Sequence, residues 1–326
     1  MTSILQRKEF FCLTLLTIAC SVGQLHSATI SYKDIEHQRE TILASFYEKG
    51  YCIIRDVPGQ AERRKEYLNA FKSFIELPQK EKLKYKTPEC YISGYSVGEE
   101  SYNGEEADDY KESFYFPHPM HKDTSNTAFK WPSQVLQEAA SNLAANMHEV
   151  ILKVARCTSL IDLNMLEEVA IARALHYKKI PNRQEKVTHW TAPHRDHGFL
   201  TALIKDAYLK DGVWVSKGAS DTGLCIQGKH IKGMNDSCVV VQVGESAEII
   251  TGSVKATLHW VTGKPGTPYT RITMALFVNP KEQLKIYAPN KVDTIKFKNR
   301  YEPGISFGEF ARRTFESYYS KRRSKL

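Results

Sequence analysis

Cysteine is scarce in this chain: there are 7 in 326 residues, and no two stand at the Cys-x-x-Cys spacing. Neither a zinc ribbon nor a disulfide framework can be built from them. Also missing are a phosphate-binding P-loop, a dinucleotide fingerprint at a strand-to-helix turn, zinc-finger spacing and any internal repeat, which removes the common nucleotide-binding, finger and solenoid classes. No apolar run reaches the roughly 20 residues that a membrane-spanning helix needs. What remains is ordinary in composition, 42% hydrophobic and 25% charged, and long enough to bury a large core as a globular protein.

The formal net charge of +8 is concentrated near the end of the chain, at Arg312, Arg313, Lys321, Arg322, Arg323 and Lys325. A basic tail can meet nucleic acid or an anionic membrane. Cations at the end of a helix are also favoured by its own dipole, so no nucleic-acid partner is expected. At the other end, Arg7 and Lys8 precede a short apolar run over 10–20, and small residues lead to Ser27 and Ala28. That order describes a secretory signal peptide over 1–28, cleaved near Ala28. It implies export or a secretory compartment, with a cytoplasmic location as the alternative. Without the leader five cysteines remain, at 52, 90, 157, 225 and 238, an odd set that reads as buried free thiols.

Periodicity divides the rest. Residues 29–160 form an N-terminal helical region. Ile35, Ile42, Leu43 and Phe46 share one helical face before Gly50; a strand follows over 51–55. A second helix carries Tyr67, Leu68, Phe71, Phe74 and Ile75 up to Pro78, and a long apolar-faced helix spans 133–157. Residues 161–303 are dense in short strands punctuated by glycine and proline, the pattern of a jelly roll. Residues 304–326 are a C-terminal basic helix that opens on a capping box, Ser306 and Glu309. The fold class is therefore mixed α and β: a double-stranded β-helix core with an N-terminal helical region and flanking helices.

Chemistry concentrates at His194-x-Asp196, His259 and Arg271-x-Thr273. On a strand, His194 and Asp196 at i and i+2 project to one face, and His259 lies in a second strand over 256–261. Two histidines and a carboxylate match the facial triad that binds Fe(II) and leaves open positions. Arg271 and Thr273 share a strand face, placing a planar fork and a hydroxyl where a carboxylate can be held. A hairpin centred near Pro265 would set Arg271 opposite His259. His197, beside Asp196, would face the other side of the strand; His189 falls in a loop; His176 would face away from Tyr177. None of the three is taken as a ligand.

On these motifs the chain resembles an iron(II)- and 2-oxoglutarate-dependent dioxygenase of the isopenicillin N synthase-like family, from residue 30 to the C-terminus. The resemblance implies Fe(II) held by His194, Asp196 and His259, and 2-oxoglutarate anchored by Arg271 and Thr273. Tyr177 stands where relatives carry the tyrosine of Asn-x-Tyr-Pro, but Leu175 and Lys178 replace the asparagine and proline. The implied activity is oxidation of a small organic substrate by O2, through hydroxylation or desaturation, coupled to decarboxylation of 2-oxoglutarate to succinate and CO2. No protein partner is implied and a monomer is expected. A 2-oxoglutarate-independent Fe(II) oxidase and a catalytically silent binding protein on the same scaffold are the alternatives. The long connection over 205–220 is either a substrate-selecting loop, with Tyr208 and Trp214 at the entrance, or a surface hairpin.

Overall fold

The computed structural model describes residues 27–87, 93–100, 109–119, 129–182, 189–216, 222–297 and 299–323. Residues 1–26 of the expected leader, Cys90 and the last three residues lie outside them. The strands are β1 (Thr29–Ser31), β2 (Tyr51–Arg55), β3 (Gly94–Val97), β4 (Lys111–His118), β5 (Ala170–Tyr177), β6 (His189–His194), β7 (Leu200–Ile204), β8 (Ala207–Lys210), β9 (Val213–Val215), β10 (Gly223–Ile226), β11 (Lys229–His230), β12 (Val239–Val243), β13 (His259–Thr262) and β14 (Tyr269–Val278). The helices are α1 (Arg39–Glu48), α2 (Gln60–Ile75), α3 (Gln79–Lys82), α4 (Gln134–Thr158), α5 (Glu245–Thr251) and α6 (Phe307–Arg323).

Two sheets face each other. The larger runs β1-β2-β12-β7-β14-β5-β4-β3, with β8 and β9 attached beside β14; the smaller runs β11-β10-β13-β6. Alternation along β14 decides what each face carries: Ile272, Met274 and Leu276 turn outward into the core under the helices, while Arg271, Thr273, Ala275 and Phe277 turn toward the smaller sheet. The outward core is closed by α4, whose Leu143, Met147, Val150 and Ile151 are fully buried. Ser133 caps this helix by accepting the Leu136 amide at 3.2 Å. Truncating Met147 to alanine would cost about 2–5 kcal/mol.

Gly50 ends α1 as the sequence indicated. Its φ is +79°, and its amide reaches the carbonyls of Ser45 and Phe46. A Cβ there would come within 2.7 Å of the Lys255 carbonyl oxygen, so the turn also needs the missing side chain for close approach.

The expected hairpin between His259 and Arg271 does not form. β13 pairs with β6 and β10 in the smaller sheet, whereas β14 pairs with β5, β7 and β8 in the larger, and Arg271 stands opposite Tyr177 and Tyr208. The segment from Gly263 to Pro268 is a crossover between sheets, tethered by the Gly266 amide to the Ile180 carbonyl at 2.8 Å. Two apolar strands around a glycine- and proline-rich turn look the same locally whether they pair or separate. The connection over 205–220 does contain a hairpin: β8 and β9 pair with each other, and β8 extends the larger sheet beside Arg271. Trp214 packs on the core beneath the helices instead of lining an entrance.

Candidate active site

His194 is the last residue of β6, and Asp196 lies beyond it in the turn to β7, so loop geometry and not strand alternation brings the two together. His259 opens β13 directly opposite His194. The two Nε2 atoms lie 3.8 Å and 3.9 Å from Asp196 Oδ1, and one ligand atom from each of the three residues falls within 4.8 Å of the others. Among the described residues this is the one such cluster of three.

The groups behind the triad fix its orientation. His194 Nδ1 lies 2.9 Å from the Ala192 carbonyl and His259 Nδ1 lies 3.0 Å from the Thr257 carbonyl. A carbonyl can only accept, so both Nδ1 atoms carry protons and both Nε2 lone pairs face the centre. Thr201 and Gln242 each donate to Asp196 Oδ2 at 2.7 Å, leaving Oδ1 turned toward the imidazoles. Burial, reinforced by the neighbouring His259, pushes His194 down to about 3. Burial alone would raise the Asp196 carboxyl, but the histidines, Thr201 and Gln242 hold it below its ordinary value. Neutral imidazole with ionised carboxylate is the donor set that a divalent metal requires.

The turn carrying Asp196 is held from below by α5. The amide of Glu245 donates to the Asp196 carbonyl at 2.7 Å, and that of Ser246 to the carbonyls of His197 and Gly198 at 3.2 Å. Gly244 makes this approach possible: a Cβ on it would overlap the Gly198 carbonyl oxygen.

A cavity of about 1060 Å³ extends from the triad between the two sheets. Arg271 lines it, 2% exposed, with Nη2 paired to Asp206 and its guanidinium carbon 4.7 Å over the Tyr177 ring. Burial works against its charge, but Asp206 and Tyr177 more than restore it. Its Nε and Nη1 are buried with no hydrogen-bond partner. Orphaned donors on a buried cation are costly unless an anion completes them, so the arrangement fits a ligand carboxylate. Thr273 lines the same wall while donating to the Ile204 carbonyl at 3.1 Å, and Tyr177 lies beside it. Leu175 offers only hydrocarbon.

A polar cluster also lines the cavity. Glu100 accepts from Lys111 at 2.6 Å, Tyr115 at 2.8 Å and Arg173 at 3.0 Å, and is held well below the ordinary carboxyl value despite its burial. Phe315 and Tyr318 of α6 contribute to the wall, with the His197 ring edge-on to Phe315 at 4.8 Å. The C-terminal basic helix, to which the sequence assigned no part in the site, thus forms part of the cavity.

The other histidines stay outside the ligand set. His189 begins β6 and is not in a loop; its ring meets Trp260. His176 turns to the opposite face of the sheet and meets Glu112 at 2.7 Å. His197 is partly buried against Phe307 and Phe315 of α6, and desolvation pushes it down to about 4. Sequence reasoning did not single out Thr201, Gln242, Asp206 or the residues of α6. Gln242 had a readable signal, being the one polar side chain in Val239-Val240-Val241-Gln242-Val243. The others act through contacts made only on folding.

Comparison with known proteins agrees with this geometry. Residues 24–138 match the family described as non-haem dioxygenase in morphine synthesis, N-terminal, and residues 170–280 match the 2OG-Fe(II) oxygenase superfamily, together more than half of the chain. Among solved structures, a full-length Neurospora crassa protein in complex with alpha-KG is 20% identical with a TM-score of 0.65, covering 88% of this chain and 95% of its own. JOX2 in complex with 2OG, Fe and JA is 17% identical with a TM-score of 0.65, covering 89% and 84%. The dioxygenase for auxin oxidation in rice is 16% identical with a TM-score of 0.62, covering 90% and 96%. No curated protein sequence matches the chain. With both segments matched in order on a shared jelly-roll fold, the chain belongs to the 2OG-Fe(II) oxygenase superfamily, as an Fe(II)- and 2-oxoglutarate-dependent dioxygenase of the isopenicillin N synthase-like type.

Proposed function

We propose that His194, Asp196 and His259 are the Fe(II) ligands and that Arg271, with Thr273 and Tyr177, holds the distal carboxylate of 2-oxoglutarate. The observation that carries this reading is the presence, in one cavity, of a donor triad and a buried guanidinium with two unpartnered nitrogens. When bound, Fe(II) and 2-oxoglutarate supply an oxidant able to take hydrogen from a substrate carbon, with succinate and CO2 as coproducts.

The chain's own residues orient and enclose this chemistry. Three protein ligands on one side leave the remaining positions for cosubstrate and O2. Asp206 fixes the Arg271 fork, and α6 helps to exclude water from the cavity. The substrate is a small organic molecule whose polar group meets the cluster of Glu100, Lys111, Tyr115 and Arg173. Hydroxylation or desaturation then takes place at the carbon held nearest the triad. The chain is proposed to act as a monomer.

The test is a screen of small organic acids, alcohols and heterocycles for substrate-dependent succinate formation. The proposal requires turnover with one of them in the wild type, and its loss together with bound iron in Asp196→Ala. Metal content unchanged in Asp196→Ala would refute the ligand assignment. Residues 1–28 are further proposed to be a cleaved export leader. The first strand, β1, begins directly behind them at Thr29 and pairs with β2. N-terminal sequencing of the mature protein should then start near residue 29, and an intact Met1 would refute it.

A further inference from the structure

Thr191 carries a buried hydroxyl with no hydrogen-bond partner, on the wall of the same cavity. The residue is 4% exposed. Simple alternation along β6 would turn it away from the face bearing His194, three residues later. The ladder reverses this expectation: Thr191 pairs with Val261 and His194 with His259, so three residues on β6 are matched by two on β13. The bulge returns Thr191 to the cavity side.

Its chain neighbour packs beside Tyr177. Trp190 donates Nε1 to the Lys178 carbonyl at 2.8 Å and places its ring 5.8 Å from Tyr177, the ring that lies under the Arg271 guanidinium. Thr191 Oγ1 and Arg271 Nε and Nη1 are thus cavity-lining donors that share one condition: each is buried and each lacks a protein partner. Leu175, facing from β5, supplies no polar atom. A buried hydroxyl without a partner destabilises the ligand-free protein, and that cost is removed when an acceptor arrives.

We infer that Thr191 is a cosubstrate-binding residue whose hydroxyl donates to the 2-oxoglutarate carboxylate gripped by Arg271. Two strands of the larger sheet and one of the smaller would then close on one anion, adding a neutral, directional donor to the charged fork. This rests on the reading of Arg271 as the cosubstrate anchor.

The experiment is anaerobic titration of 2-oxoglutarate into the Fe(II)-loaded full chain, for wild type, Thr191→Val and Thr191→Ser, with Fe(II) affinity and ligand-free Tm measured in parallel. Loss of one hydrogen bond to a charged group is expected to weaken 2-oxoglutarate binding on the order of tenfold in Thr191→Val. Thr191→Ser should restore most of it. The ligand-free Tm of Thr191→Val should be no lower than that of wild type, because an isosteric methyl replaces an orphaned hydroxyl, and Fe(II) affinity should be unchanged. Wild-type affinity in Thr191→Val, or an affinity loss accompanied by a fallen Tm and weakened iron binding, overturns the inference. Failure of the wild type itself to bind 2-oxoglutarate with iron in place would instead remove the Arg271 reading, and this one with it.

Discussion

Asp196 turns one carboxylate oxygen to two imidazoles and the other to Thr201 and Gln242, and this division suits the three side chains to hold a metal ion. Removing an outer hydrogen bond is expected to weaken metal binding while leaving all three ligands in place. Thr201→Val should therefore bind Fe(II) about 10–100-fold less tightly, with a Tm close to wild type, as read by competition with a chromogenic chelator; wild-type affinity would show that the hydroxyl does not position Asp196. At this scale the sequence was informative. The residue types and their order already pointed to the residues now proposed as an iron triad and a carboxylate fork. Asp206, Thr201 and the bulge at Thr191 were illegible, because their contacts depend on a turn geometry and on strand pairings that the local pattern does not specify.

Among the elements, α5 bears most directly on the site. Its first amides hold the Asp196 turn, and the approach depends on a position without a side chain. In Gly244→Ala the new methyl would overlap the Gly198 carbonyl, and the turn must move. We expect lowered iron affinity together with lowered Tm, in contrast to Thr201→Val; a variant indistinguishable from wild type in both would contradict this account of the turn. Residues 245–251 contain no ligand, so nothing in their local pattern announced such a role. Element existence was readable where periodicity was long, as in α4 and the C-terminal helix. Sheet membership was not. β13 and β14 satisfy the local pattern of a hairpin, yet long-range pairing assigns them to opposite sheets, a decision made by cores that no short window contains.

Across the whole molecule, buried ionic clusters tie the N-terminal region to the jelly roll. On the outer side of the sheet, Glu112 is 1% exposed and receives hydrogen bonds from Lys82, Tyr95 and the His176 ring. Burial alone would raise its carboxyl, but these donors take it down to about 2 from an ordinary 4.5. A carboxyl depressed on folding contributes stability that is complete above its unfolded value and is lost as pH falls toward its folded one. Tm should accordingly drop between about pH 4.5 and about pH 2, by the equivalent of a few kcal/mol from this group. Glu100 adds in the same direction, whereas Glu245, raised by burial against the pull of Arg300, acts in the opposite one. Glu112→Gln should be less stable at neutral pH and show a shallower acid slope; an unchanged slope would dismiss the cluster as a pH-dependent brace.

The central claim is that one cavity binds Fe(II) through the triad and 2-oxoglutarate through Arg271. The most direct measurement is anaerobic addition of 2-oxoglutarate to the Fe(II)-loaded protein, watching for the weak visible metal-to-ligand charge-transfer band of a chelated complex. The account expects the band to saturate at one 2-oxoglutarate per iron and to vanish in Arg271→Ala at matched concentrations while iron remains bound. Iron binding without a band at any 2-oxoglutarate concentration, or an Arg271→Ala titration identical to wild type, would contradict it.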